Sequence, residues 1–162
     1  MTGGRIDFVT GAPEKYAHLV DAVATGPERL RDVLRGVSAG VLRTEPADGS
    51  WSPARILAHL VVGTQKNSVF IYRIATMTDP ERMPFDESEE SERLKNANPE
   101  SLLSAFEKAV GETVAVLSHT PDAGWGRPGR KRGMRRSLRQ EVESMASHFD
   151  EHIAELKRLL GK

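Results

Sequence analysis

The 162-residue chain contains no cysteine. This absence excludes a disulfide framework, a thiolate nucleophile and every metal site that uses thiolate ligands. Aromatic residues are also scarce, at 6% of the chain. If the protein binds a metal ion, its ligands must be nitrogen and oxygen atoms, as in histidine imidazoles and carboxylates.

An excess of charge of either sign is missing as well. Lys and Arg together number 23 and Asp and Glu number 23, which gives a formal net charge of +0. This balance disfavours a protein that binds nucleic acid over its whole surface. We therefore expect no nucleic-acid partner.

Long apolar runs are missing too. The most apolar stretch, residues 56–62, contains His59 and is followed closely by Gly63 and Lys66. It is too short to cross a bilayer, and the first residues lack the apolar core of a signal peptide. We expect a cytoplasmic protein without a membrane partner.

The size and composition indicate one globular unit. A chain of this length can bury most of its unfolded surface, and 38% hydrophobic with 28% charged residues is typical of a helix-rich globular protein. We expect a single domain over residues 1–162. Within it, residues 1–25 would lead into a helical bundle over about residues 26–160.

Four segments repeat apolar residues every three or four positions, the period of an amphipathic helix. Each begins with a capping residue or an early proline. The corresponding start signals are Thr25 with Glu28, Ser52 with Pro53, Asn98 with Pro99, and Ser137 with Gln140. The pattern predicts helices near residues 27–43, 53–77, 99–118 and 137–160.

Four such helices predict an all-α protein, specifically a four-helix bundle with a long connection between helices two and three. That connection covers residues 78–98 and is long enough for an extra short helix near 89–94. The first two helices should be antiparallel neighbours. We expect no paired strands, and Trp125 is placed to cover one end of the bundle.

Three of the five histidines occupy corresponding positions on two of these helices. His148 and His152 are four residues apart, so their side chains lie one turn apart on one helix face. His59 lies beside the apolar face of the second predicted helix. Imidazoles that reach inward from two packed helices can meet at one ion, so the pattern predicts a shared metal site.

Three protein ligands would leave a coordination position open, which is typical of catalytic sites. Each imidazole must be neutral to bind, so affinity should fall below a pH of ~6.5. The alternative interpretation is that these are partly buried histidines with ordinary hydrogen-bond partners.

Two stretches resemble the DinB-like superfamily. One runs from Gly49 to Leu60 and contains Trp51-Ser52-Pro53 before His59; the other is residues 148–153. The resemblance extends over about residues 26–160. It implies a four-helix bundle and a divalent metal ion, zinc or nickel, held by His59, His148 and His152. Where some relatives have a further polar ligand on helix two, this chain has Gly63.

The resemblance also implies a function. Known members include S-transferases and isomerases that use a low-molecular-weight thiol. We therefore expect a metal-dependent transferase or hydrolase that acts on a small-molecule substrate, with a small thiol as a candidate co-substrate. A non-catalytic interaction module is the alternative, and a homodimer is left open.

A basic run between residues 127 and 139 contains seven Arg or Lys side chains and no acid. It could bind an anion such as a carboxylate, a phosphate or nucleic acid. We favour a solvated face, or a partner for the acidic residues 79–92. Glu141 is a candidate hydrogen-bond acceptor behind the histidines, while His119 suits a helix C-terminus and His18 has no evident role.

Overall fold

The computed structural model describes residues 12–162 of the chain. Within them it is mostly helical, as predicted, and the four-helix bundle is confirmed. The helices are α1 (Ala17–Ala24), α2 (Gly26–Leu34), α3 (Ala39–Arg43), α4 (Pro53–Thr76), α5 (Glu87–Leu94), α6 (Pro99–Ser118) and α7 (Leu138–Leu159). The remaining regular elements are two strands, β1 (Pro128–Lys131) and β2 (Met134–Ser137), and two 3₁₀ turns, Glu14–Tyr16 and Asp122–Gly126.

The bundle consists of α4, α6, α7 and the pair α1–α2, which packs against both α6 and α7. Its three long helices begin where the sequence predicts. The side chains of Ser52 and Asn98 accept hydrogen bonds from backbone N–H groups of the first turn of α4 and of α6. Ser137 and Gln140 form the predicted capping box of α7. These caps satisfy N–H groups that have no partner inside the helix.

The predicted first helix, 27–43, is wrong in its bounds. The backbone bonds from Thr25 N to Asp21 O and from Arg29 N to Thr25 O run almost without interruption from α1 into α2. The Thr25 hydroxyl contacts Ala22 O and caps nothing, so the capping box does not form. The helix ends at Leu34 because Gly36 adopts φ 75°, which an α-helix cannot contain.

The predicted lead-in, residues 1–25, includes α1 and the turn before it. Residues 1–11 lie outside the described residues, but α1 packs on α6 and α7 as part of the bundle. At its junction with α2, a Cβ on Gly26 would come within 2.7 Å of the Phe149 ring. A residue without a side chain is thus required for the first helical pair to approach α7 this closely.

The expectation of no paired strands is also wrong. Strands β1 and β2 form an antiparallel hairpin with a register that pairs Lys131 with Met134. The two loop residues, Arg132 at φ 52° and Gly133 at φ 75°, have the positive φ values of a tight two-residue hairpin turn. The strands read Pro-Gly-Arg-Lys and Met-Arg-Arg-Ser, so the alternating apolar pattern that would have predicted them is missing.

The connection between α4 and α6 holds this hairpin against the bundle. Its short helix α5, expected near residues 89–94, packs on α4. Before α5, Arg82 N donates to Arg130 O at 2.8 Å and Arg130 N donates to Pro80 O at 2.8 Å. On the other side of β1, a Cβ on Gly129 would lie 2.7 Å from Ile74 Cγ1. The hairpin is therefore fixed between the connection and α4.

Among residues 12–162, no helix combines the length and the apolar character that a membrane crossing requires.

Candidate metal centre

The three histidines predicted from sequence come together between α4 and α7. The Nε2 atoms of His59 and His148 are 3.2 Å apart. One nitrogen from each of His59, His148 and His152 lies within 4.8 Å of the others. Their ring centroids are separated by 4.4 to 5.1 Å, and all three rings meet edge to face. The rings are therefore not stacked face to face, and each contributes one nitrogen to a shared cluster.

Two carboxylates lie behind the rings. Glu87 Oε1, on α5, lies 2.7 Å from His59 Nδ1, off the line of a straight hydrogen bond. Glu155 Oε2, three residues after His152, lies 3.1 Å from His152 Nδ1. A carboxylate at Nδ1 favours the proton on that nitrogen and leaves Nε2 free as an acceptor. For both histidines, Nε2 is therefore the nitrogen available to a ligand.

The charge state of His148 also suits a ligand. Burial, followed by the positive charge that His152 and His59 would carry, lowers the pKa of His148 to about 4. Glu87 opposes this shift but does not cancel it. His148 is therefore neutral at pH 7 and offers a lone pair without first losing a proton.

Gly63 explains how His148 reaches this position. The residue lies one turn after His59 on α4, where a glycine offers no further ligand. A Cβ there would lie 3.3 Å from His148 Cε1 and 3.5 Å from Glu87 Oε1. The missing side chain supplies the space into which the imidazole and the carboxylate fit.

An aromatic residue borders the opposite side of His59. The Trp51 ring meets the His59 ring edge to face at 5.4 Å between centroids. The Arg55 guanidinium lies over the Trp51 ring at 4.2 Å and pairs with Glu92 at 2.9 Å. These contacts fix the start of α4, and with it the position of His59.

The other candidate residues lie elsewhere. His119 follows α6 and its Nδ1 lies 2.8 Å from Ala115 O, which fits the predicted role at a helix end. His18 is exposed on α1. Glu141 is buried, but it accepts a 2.8 Å hydrogen bond from Arg136 Nε and not from a histidine.

Sequence reasoning missed both carboxylates that lie behind the rings. Glu155 could have been found, because a residue three positions after His152 lies on the same helix face. Glu87 could not, because its place at His59 depends on how α5 packs on α4. The acidic run around it gave no sign that one member would face the histidines.

The basic run forms the hairpin and the start of α7, and most of its members have partners. Arg130 pairs with Asp79 at 3.4 Å, and Arg139 with Glu143 at 2.8 Å. Arg127 donates from Nε to Ile74 O at 2.9 Å and from Nη2 to Met77 O at 2.6 Å. Part of the run thus binds within the protein, including to the acidic segment.

The fold and the site together define a class of protein. It is a helical bundle in which two long helices bring three histidines together. The sequence profile of the DinB superfamily matches residues 22–156. The chain belongs to the DinB superfamily. A search of curated proteins by sequence gave no significant match.

Two solved structures share the fold. YfiT from Bacillus subtilis superposes with a TM-score of 0.78 at 21% identity, over 99% of this chain and 94% of its own, and is described as a probable metal-dependent hydrolase with an unusual four-helix bundle topology. A histidine-to-alanine mutant of the mycothiol-dependent maleylpyruvate isomerase gives a TM-score of 0.73 at 12% identity. That match covers 86% of this chain and 60% of the isomerase.

Proposed function

We propose that His59, His148 and His152 bind one divalent metal ion and that the protein is a metal-dependent enzyme acting on a small molecule. The observation that carries this proposal is the convergence of the three imidazoles, with nitrogen atoms all within 4.8 Å of one another. The proposal includes both classes of reaction expected from the sequence, namely hydrolysis and the transfer of a low-molecular-weight thiol.

One pair of these nitrogens already has the separation found in a zinc site. Two ligands of one tetrahedral zinc ion lie about 3.3–3.4 Å apart when each is about 2.0–2.1 Å from the metal. The 3.2 Å between the Nε2 atoms of His59 and His148 is close to that value. Imidazole nitrogen is a good ligand for both metals, and neither requires a thiolate, which this chain lacks.

The residues of the chain would hold the ion and set its surroundings. Glu87 and Glu155, placed at the Nδ1 atoms of His59 and His152, would keep those rings oriented with Nε2 toward the ion. A bound divalent ion supplies Lewis acidity, which polarises a carbonyl and lowers the pKa of a coordinated water or thiol. Three protein ligands leave room for such a group.

The relatives support the choice of reactions. YfiT is described as a probable metal-dependent hydrolase, and the maleylpyruvate isomerase depends on the thiol mycothiol. Both share the fold of this chain at low identity, so they indicate reaction classes to test and not a substrate. A hydrolase and a thiol transferase use the same metal chemistry on different attacking groups.

Metal content is the first test. We expect the purified full chain, loaded with zinc or nickel and dialysed, to retain one equivalent of metal by elemental analysis. The His59→Ala, His148→Ala and His152→Ala variants should each retain far less. His119→Ala is the matched control, because His119 bonds only within α6, and it should retain as much metal as the parent protein. Equal metal content in all five proteins would refute the site.

Activity is the second test. The loaded protein is assayed against panels of small esters and amides, and against small electrophiles in the presence of mycothiol or bacillithiol. Turnover that disappears on metal removal and in His152→Ala, and returns in the parent when metal is restored, supports the proposal. A protein that binds metal stoichiometrically and turns over no member of either panel would support the alternative, a non-catalytic metal-binding bundle.

A further inference from the structure

Two cations next to the histidines lack counter-ions. Arg82, in the connection before α5, and Lys131, at the end of β1, are both half-buried. Among the ion pairs of residues 12–162, which extend to 4.0 Å, neither side chain has a carboxylate partner, and Arg82 Nε is buried without a hydrogen bond. Guanidinium and ammonium groups withdrawn from water normally have such partners.

The fold holds these two cations together. Backbone bonds between Arg82 and Arg130 fix the connection to β1, directly beside Lys131. Both side chains line one cavity of about 170 Å³, together with Phe85 and the exposed loop residue Arg132. The Arg82 guanidinium lies over the Phe85 ring at 4.8 Å, which orients it while leaving its N–H edge free.

The surrounding charges leave the cavity positive. Burial lowers the pKa of both Arg82 and Lys131, and the nearby Glu141 carboxylate opposes the shift in each case. One oxygen of Glu141 already accepts from Arg136 Nε at 2.8 Å, so its charge is shared with a third cation. Glu141 therefore acts on Arg82, Lys131 and Arg136, Glu87 acts on Arg82 as well, and Glu81 lines the cavity. Counted with Arg132, the four cations still outnumber these three acids.

The cavity lies near the residues that surround the three histidines. A groove beside it shares Phe85 and Arg132 with the cavity and reaches Glu87, the carboxylate at His59. The Lys131 charge contributes to the lowered pKa of His148, and the Arg82 charge contributes to that of Glu87. A small molecule with one end in the cavity could therefore place its other end at the histidines.

We propose that Arg82 and Lys131 bind an oxyanion, a carboxylate or a phosphate, carried by the substrate or co-substrate of the histidine site. The inference rests on the proposed function only in assigning the anion to that substrate. Arg82 would bind two oxygens through its planar N–H groups, and Lys131 would act as a point charge. Arg132 stands at the rim, where its exposure makes its contribution small.

Anion binding is measured directly, without turnover. Succinate and inorganic phosphate are titrated separately into the metal-free full chain at constant ionic strength, and the heat of binding gives each dissociation constant. We expect binding by one or both, with the tighter one identifying the anion. Succinamide, neutral and similar in shape, should not bind. Absence of binding by both anions overturns the proposal.

Variants locate the site. Arg82→Gln and Lys131→Met should each weaken binding by about tenfold, the size of a lost charge-assisted hydrogen bond. Arg82→Lys should retain more affinity than Arg82→Gln. Arg135→Gln, exposed on the same hairpin, is the matched control and should bind as the parent does. Equal affinity in all variants would mean that the anion binds elsewhere on the protein, and would overturn the proposal.

The same titrations separate this inference from the metal site. Anion binding that persists in His148→Ala supports a site formed by the cations themselves. If anion binding requires zinc and its affinity is unchanged in Arg82→Gln, the anion binds to the metal. That result overturns this proposal and leaves the proposed function intact. A chain that binds succinate through Arg82 but retains no metal would refute the proposed function alone.

Discussion

The two ends of the bundle use polar and aromatic groups in opposite ways. At the end away from the histidines, the Trp125 ring is fully buried and stacks on Tyr16, with centroids 4.3 Å apart. Trp125 Nε1 donates to Thr120 O at 3.3 Å, and Arg127 donates to the last carbonyls of α4. Each of these polar groups has a partner within the chain.

At the histidine end, by contrast, ring nitrogens of different histidines face one another. His59 and His148 approach through their Nε2 atoms, and a pair of neutral imidazoles can share only one proton there. His119 resembles the polar groups of the Trp125 end, because its Nδ1 bonds to Ala115 O within the chain. A histidine whose ring nitrogen bonds to a nearby carbonyl has a structural role, whereas histidines that converge with too few protons for their nitrogens are suited to bind a ligand.

The largest expected effect comes from a substitution at the closed end of the bundle, the end that Trp125 covers. Trp125→Ala should lower the free energy of unfolding by about 3–5 kcal/mol, because a fully buried aromatic side chain is lost. Urea unfolding of the metal-free protein measures this change. The folded variant should still retain the parent's metal content, since the ring contacts of the three histidines do not include Trp125. A folded variant that loses its metal would show that the two ends are coupled.

The second test concerns pH and the histidine end. An imidazole in the unfolded chain titrates near pH 6.5, whereas burial and the neighbouring histidines lower the pKa of His148 to about 4. Between these values the unfolded chain binds the additional proton. The free energy of unfolding of the metal-free protein should therefore decrease as the pH falls from about 6.5 to about 4, by up to about 3 kcal/mol.

Urea unfolding at a series of pH values checks this dependence. His148→Gln removes the titrating group and should flatten the curve over that range. His119→Gln, at the closed end, should leave the slope as it is in the parent protein. A parent protein whose stability does not change between pH 6.5 and 4 would contradict the buried, neutral state of His148.

The third test addresses the carboxylates behind the rings. Glu87→Gln and Glu155→Gln should each weaken metal affinity by about 10- to 100-fold, equivalent to about 1.4–2.7 kcal/mol, while the ligands remain in place. Competition with a chromogenic chelator measures the affinity. Glu92→Gln is a matched control on α5, because Glu92 pairs with Arg55 and Lys95 and not with a histidine. Unchanged affinity in both variants would remove these carboxylates from the site.

Much of the bundle was predictable because it depends on local signals. Ser52, Asn98 and Ser137 cap their helices as the sequence indicated, and the spacing of His148 and His152 fixes their common face. The break at Gly36 was missed because the apolar stripe continues beyond it, although the helix does not. Periodicity describes which face is apolar and cannot show where the backbone turns.

The parts that escaped prediction depend on contacts distant in sequence. Strand β1 pairs with residues 80–82 of the long connection as well as with β2, and no local pattern contains that pairing. Glu87 reaches His59 only because α5 packs on α4. Arg82 and Lys131 likewise lie close together only because the long connection packs against β1. The sequence thus predicts the histidines of the site but not the groups that surround them.

The smallest test uses two helical glycines. In a helix interior, replacing glycine with alanine stabilises a protein by about 0.5–1 kcal/mol when the new methyl group has space. At Gly111 on α6 a Cβ would meet nothing within 4 Å, whereas at Gly63 a Cβ would lie 3.3 Å from His148 Cε1. We expect Gly111→Ala to show the full gain, and Gly63→Ala a smaller gain or none.

Metal affinity separates the two variants further. His148 must move by a few tenths of an ångström to accommodate a methyl group on residue 63, so Gly63→Ala should bind zinc several-fold more weakly, a change of roughly 1 kcal/mol or less. Gly111→Ala should bind zinc as the parent protein does. The chelator competition used for the carboxylates measures both. If Gly63→Ala gained full stability and kept full affinity, the missing side chain at residue 63 would not be what admits His148, and the histidine end would be less closely fitted than the closed end.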